Sequence, residues 1–86
     1  MDEELLSELH TELAATEERP VERTATRWLG EAEAIAEDVA YGGMADEVRR
    51  ERLEEVGHLL DNVDGTGDAA ADDHVERARA ILADLR

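Results

Sequence analysis

Leu5, Leu6, Leu9 and Leu13 open the hydrophobic pattern of the chain. At 100° of turn per residue they share an arc of about 100°, the signature of an amphipathic helix. This first helix is predicted from about Asp2 to Glu17, with Asp2 as its N-cap and Glu3 and Glu4 at the positive end of its dipole. Pro20 resists helical geometry in the residue before it and so marks the start of a second helix, at its first position. That helix runs to about Tyr41 and stops at Gly42-Gly43. Val21, Ala25, Trp28, Leu29, Ala32, Ile35, Ala36 and Val39 form its broad apolar stripe, with the alternating three-and-four spacing of bundle packing. The breadth and the small residues point to a central helix close to two neighbours.

A third helix is predicted from about Ala45 to Val63, where Val48, Leu53, Val56, Leu59, Leu60 and Val63 share an arc of about 140°. Arg49 and Arg52 fall inside that arc; their methylenes are expected to cover apolar surface while their heads reach carboxylates, with a buried pair across an interface as the alternative. The turn "DNVDGTGD" breaks the helix at Gly65 and Gly67 and offers Thr66 or Asp68 as the next cap. The last helix spans about Asp68 to Arg86 and buries Ala71, Val75, Ala78, Ile81, Leu82 and Leu85. There is no β-type alternation and no internal repeat. The prediction is an all-α antiparallel helical bundle of three to four helices, one domain over residues 1–86. Its candidate core is Leu9, Leu13, Trp28, Leu29, Ile35, Val56, Leu60, Val75 and Leu82.

Composition qualifies this picture. Core-grade side chains are few, with ten Leu, six Val, two Ile, two Met, one Trp and no Phe, while fourteen alanines each bury little area. A core this thin often gains stability by oligomerisation, and a homodimer is expected. Asp and Glu number 24 against nine arginines, with no lysine, for a net charge of −15. Such a chain repels itself in dilute buffer, but the Debye length shrinks to about 3 Å at 1 M salt. Disorder is the alternative for so acidic a chain, and the regular apolar spacing argues against it. The expected habitat is a salt-rich cytoplasm. The absence of cysteine removes disulfides and thiolate metal sites. The acidic N-terminus does not fit a signal peptide, and apolar runs are too short for a membrane span.

Motifs of known chemistry fail on inspection. With Gly65 at the sixth position of a calcium loop, Leu60 and Ala71 would occupy the first and twelfth, where carboxylates are required. Glu55-x-x-His58 is one half of a di-iron signature that needs two such pairs. Glu51-x-x-Glu54 begins the magnesium motif of helical pyrophosphohydrolases, but Glu76 is followed three residues on by Arg79 instead of aspartate. A mutase of the chorismate type would need cations on the first helix, which has none. His10 and His74, at the margins of apolar stripes, read as packed, hydrogen-bonded boundary residues. No catalytic residue, metal or other cofactor is implied.

The second helix carries the remaining candidate. Arg19, Arg23 and Arg27 line its outward side. Solvated ion pairing accounts for them, a docking line for an acidic partner is the alternative, and the negative field disfavours nucleic acid. Arg27 with Glu31, Arg50 with Glu54 and Asp73 with Arg77 have the spacing of ion pairs within a helix. Gly30 sits inside the helix, where glycine costs about 1 kcal/mol relative to alanine, and lies roughly 160° from the centre of the apolar arc. With Ala34 and Tyr41 it forms a small notch with an aromatic beyond. Either Gly30 is a neutral surface glycine, or the first helix or another chain approaches closely there. Gly57 borders the apolar arc of the third helix and could mark another close crossing. Arg23, Arg27, Gly30, Ala34 and Tyr41 are the candidate interface.

The segments "LAATEERPVERTATRWLGEAEAIAEDV" and "LLDNVDGTGDAAADDHVERARAIL", with Arg27-Trp28-Leu29-Gly30-Glu31-Ala32 and Thr66-Gly67-Asp68 as their most recognisable pieces, resemble a family of short acidic haloarchaeal proteins of unknown function. The resemblance covers about Leu5 to Leu82 and implies a helical fold and a halophilic host. It implies no activity, ligand or catalytic residue. The expected role is a small interaction or regulatory module that self-associates and can take a further protein partner; the alternative is a small all-α metal- or nucleotide-dependent enzyme. Helicity followed by circular dichroism is expected to fall as KCl is dialysed from about 2 M to about 50 mM, where screening weakens. Full structure and stability at the low end would remove the salt argument.

Overall fold

In the computed structural model, which covers residues 1–86, Asp2 caps the chain's first helix by accepting the Leu5 N–H at 3.1 Å. Four helices follow one another: α1 (Glu3–Thr16), α2 (Arg23–Tyr41), α3 (Asp46–Asp61) and α4 (Ala69–Leu85). Contacts at their ends give the directions. Ser7, early in α1, meets Tyr41 at the end of α2. Arg19, just past α1, bonds Asp68 at the start of α4. Arg79 in α4 donates to the carbonyls of Leu60 and Val63 at the end of α3. Neighbours therefore run antiparallel, in a bundle 35 × 19 × 19 Å. α1 packs on α2 and α4, α2 also packs on α3, and α3 and α4 touch only lightly.

All four helices supply the core. Leu6, Leu9 and Leu13 come from α1, Ala25, Leu29, Ala32, Ala36 and Val39 from α2, Leu53, Val56 and Leu60 from α3, and Val75, Ala78 and Leu82 from α4. Each fully buried leucine contributes about 1.5–3 kcal/mol of transfer free energy. Trp28 and Ile35, expected in the core, are only partly buried and pack along its edge. Val48, expected in the apolar arc of α3, is 40 % exposed, and Arg49 turns inward instead. The buried stripe of α3 runs through Arg49, Leu53, Val56 and Leu60, rotating Val48 outward. Tyr41 and Val48 are the only large hydrophobics left exposed. Small residues on α2 let the other helices close over the core.

Another correction concerns the start of α2, which is Arg23 and not Pro20. The Glu22 N–H donates to the Thr66 carbonyl at 2.8 Å, holding this stretch outside the helix and tying the α1–α2 connection to the α3–α4 loop. That loop is built around Thr66, which is fully buried. Gly65 and Gly67 flank it at φ 107° and 81°, a left-handed conformation that side chains rarely adopt. The Thr66 N–H and hydroxyl both lie 2.8 Å from Asp72 Oδ1, and the hydroxyl oxygen accepts the Asp68 N–H at 3.2 Å. Asp68 in turn caps α4 through the Ala71 N–H. Replacing Thr66 with valine preserves shape but strands the Asp68 N–H and one bond of the Asp72 carboxylate. Thr66→Val is expected to lower stability by about 1–3 kcal/mol in urea unfolding, with Thr24→Val, on the exposed side of α2, within about 0.5 kcal/mol of wild type.

Candidate functional site

Along the groove between α1 and α2, side chains four and seven residues apart share a helix face, so His10 and Glu17 line one wall and Glu33 and Glu37 the other. The antiparallel packing slides these walls together. His10 Nε2 lies 2.6 Å from Glu33 Oε2 and 3.6 Å from Glu37 Oε2. The side chains of His10 and Glu33 are each only 17 % exposed, whereas that of Glu37 is 60 % exposed. The ring of Tyr41 stands at 90° to that of His10, with centroids 5.7 Å apart, and its hydroxyl bonds Ser7. Glu17 follows at the end of α1, near enough to Glu33 for the two carboxylates to influence each other. Partial burial and that neighbouring carboxylate raise Glu17 above the usual range, against the opposing pull of His10. Beyond it a hollow of about 270 Å³ opens between Thr16, Arg19, Val21, Thr26 and Gly30.

Gly30 faces open space: a β-carbon there would meet nothing within 4 Å. Close approach by the first helix is thereby ruled out. Arg23, Arg27, Ala34 and Tyr41 are exposed on the same side of α2, and Gly30 is half-buried. At Gly57 the close neighbour is a side chain and not a crossing helix, since a β-carbon would sit 2.7 Å from the Arg86 guanidinium. Glu55 and His58 are both exposed, and Glu55 pairs with Arg52.

The ion pairs expected within helices differ most from expectation. None of the pairs Arg27–Glu31, Arg50–Glu54 or Asp73–Arg77 forms. Arg27 lies 5.3 Å from the centre of the Trp28 ring instead. Arg77 reaches across to Glu12 on α1, which also lies 2.7 Å from His74 Nδ1. Burial alone would raise Glu12, but these two partners outweigh it and hold its carboxyl below the usual range. Arg49 forks onto Glu3 of α1 at 2.7 and 3.3 Å and touches Asp46, while its buried Nε has no partner. Arg52 and Arg79 do pair within their own helices, with Glu55 and Glu76, at a spacing of three and not four residues. The groove cluster went unnoticed in the sequence because its ligands come from two helices whose register the sequence does not state; the Glu33–Glu37 spacing beside a boundary histidine was the available signal.

These features define a small all-α protein whose polar side chains join helices in pairs, with the densest cluster between α1 and α2. The chain belongs to a family described as a domain of unknown function, DUF8152, whose profile matches residues 5–86. No curated protein and no solved structure matches it.

The end of α1 gives a pH signature. The Arg19 guanidinium, together with the Ala71 N–H, holds the Asp68 carboxyl below its usual range. A lowered native value means this contribution is present above the ordinary aspartate range, about pH 4, and is lost as pH falls through the native value. Between pH 7 and about pH 3 the urea midpoint of wild type is expected to fall further than that of Asp68→Asn, which has no charge to lose. Equal falls would remove the assignment.

Proposed function

We propose that the protein is a small interaction module that pairs with a second copy of itself along the outward face of α2. The observation that supports this is a symmetry in that face. Arg23 and Tyr41, Arg27 and Glu37, and Gly30 and Ala34 lie nine, five and two residues to either side of position 32. All six fall within an arc of about 80° on the helix. An antiparallel two-fold pairing centred there sets each Arg23 against Tyr41 of the second copy, each Arg27 against its Glu37, and each Gly30 against its Ala34. A self-complementary patch is what a closed dimer needs. Gly30 and Ala34 let the backbones approach. The stacked Arg23–Tyr41 contacts contribute about 0.5–1 kcal/mol each, and the ion pairs about as much, so the association is reversible.

Two chains of charge −15 meet only where salt screens them, so the pairing belongs to a molar-salt cytoplasm. A regulatory role follows, with assembly set by concentration and ionic strength and with the face open to another protein when unpaired. Arginine interleaved with carboxylate on so acidic a chain leaves no continuous basic track for a nucleic acid backbone. No helix is long and apolar enough to cross a membrane.

Sedimentation velocity in about 2 M KCl, where the Debye length is below about 3 Å, is expected to show a concentration-dependent dimer. Arg27→Glu sets like charges opposite each other and is expected to give monomer. Arg27→Glu with Glu37→Arg restores the pairing, and Gly30→Leu removes it by bulk without changing helicity. A wild-type monomer at all concentrations, or an Arg27→Glu protein that dimerises as wild type does, would overturn this reading.

A further inference from the structure

We propose that His10, Glu33 and Glu37 form a binding site for one divalent transition-metal ion between α1 and α2. The three candidate ligand atoms of His10, Glu33 and Glu37 lie within 4.8 Å of one another. Ligands bound at about 2.0–2.2 Å sit about 3 Å apart around their ion, so small rotations of the glutamates bring these atoms to a common centre. His10 and Glu33 are the fixed members, largely covered and set on two packed helices. Glu37, more exposed and one turn further along α2, closes from the solvent side.

Charge supplies the independent argument. The other partly buried carboxylates that bridge helices have arginine partners: Glu12 has Arg77, and Asp68 has Arg19. No arginine pairs with Glu33 or Glu37, and one imidazole meets both. Two carboxylates on one imidazole leave uncompensated negative charge in the groove, and a divalent ion at the centre of the three ligands answers it. Tyr41 meanwhile holds the imidazole edge-on, as outer residues orient a ligating histidine.

The donor set selects the class of ion. One imidazole among carboxylates, without thiolate, suits Mn²⁺, Fe²⁺, Co²⁺ or Zn²⁺; the nitrogen ligand disfavours Mg²⁺, which prefers oxygen and keeps its water. The role is that of a clamp between α1 and α2. The site does not depend on self-pairing, although Glu37 and Tyr41 are common to both proposals.

MnCl₂ titration of the full chain in KCl, read by the electron paramagnetic resonance of free Mn²⁺, tests the site. One ion per chain is expected, undisturbed by an equal concentration of MgCl₂, with selective paramagnetic broadening of the His10 ring proton signals over those of His58. His10→Ala and Glu33→Gln are expected to weaken binding about tenfold or more. Glu37→Gln, at an exposed position that folding does not need, is expected to weaken it with helicity unchanged. Glu55→Gln and Arg27→Glu leave binding as in wild type, the latter even where dimer is lost. Several weak ions per chain, displacement by equimolar Mg²⁺, broadening shared equally by His10 and His58, or Glu37→Gln binding as wild type does, would each overturn the proposal.

Discussion

The fold depends on how closely helices can approach α2. Its inner face places Ala25, Ala32 and Ala36 among Leu29 and Val39, all buried. Alanine leaves room for the leucines of α1 and α3 to lie across the helix instead of against bulky neighbours, so a chain poor in large side chains still closes its core. Interior packing at near-crystalline density makes each such contact count. The same proximity sets the polar chemistry: α1 and α2 approach near enough for His10, Glu33 and Tyr41 to touch, where a wider spacing would leave each in water.

The charged residues serve as crosslinks. Arg49 joins α3 to α1, Arg77 joins α4 to α1, and Arg19 joins the end of α1 to the cap of α4. α1, with no cation but its histidine, is the acidic hub that these arginines approach. Nine arginines cannot neutralise 24 carboxylates, so their placement matters more than their number. The α1–α2 groove is where that supply stops, and it is there that two carboxylates converge on a single imidazole. A metal clamp and a self-pairing face would both act on α2, one inward toward α1 and one outward.

Loops carry as much of the architecture as the helices do. Buried Thr66 organises the α3–α4 connection and, through its carbonyl, captures the Glu22 N–H that would otherwise begin α2. Pro20 signalled a helix start that is locally sound; a long-range hydrogen bond outcompeted it. Val48 differs for a related reason, while Arg49 stands as expected, inside the apolar arc with its head on a carboxylate. Periodicity ranks residues by hydropathy, but Glu3 stands beside α3 and draws the arginine inward at the cost of the valine.

The number of helices, their type, most of their ends and the leucine, alanine and valine positions of the core were legible in the chain alone, because they follow from local periodicity, capping residues and glycine breaks. The high negative charge was equally plain, since it requires no geometry. Tertiary structure alone decided which carboxylate each arginine meets, that Gly30 faces open space, and that His10 joins glutamates more than twenty residues away. Those outcomes depend on the register between helices, which is set by the packing of many side chains at once and is written in no single segment.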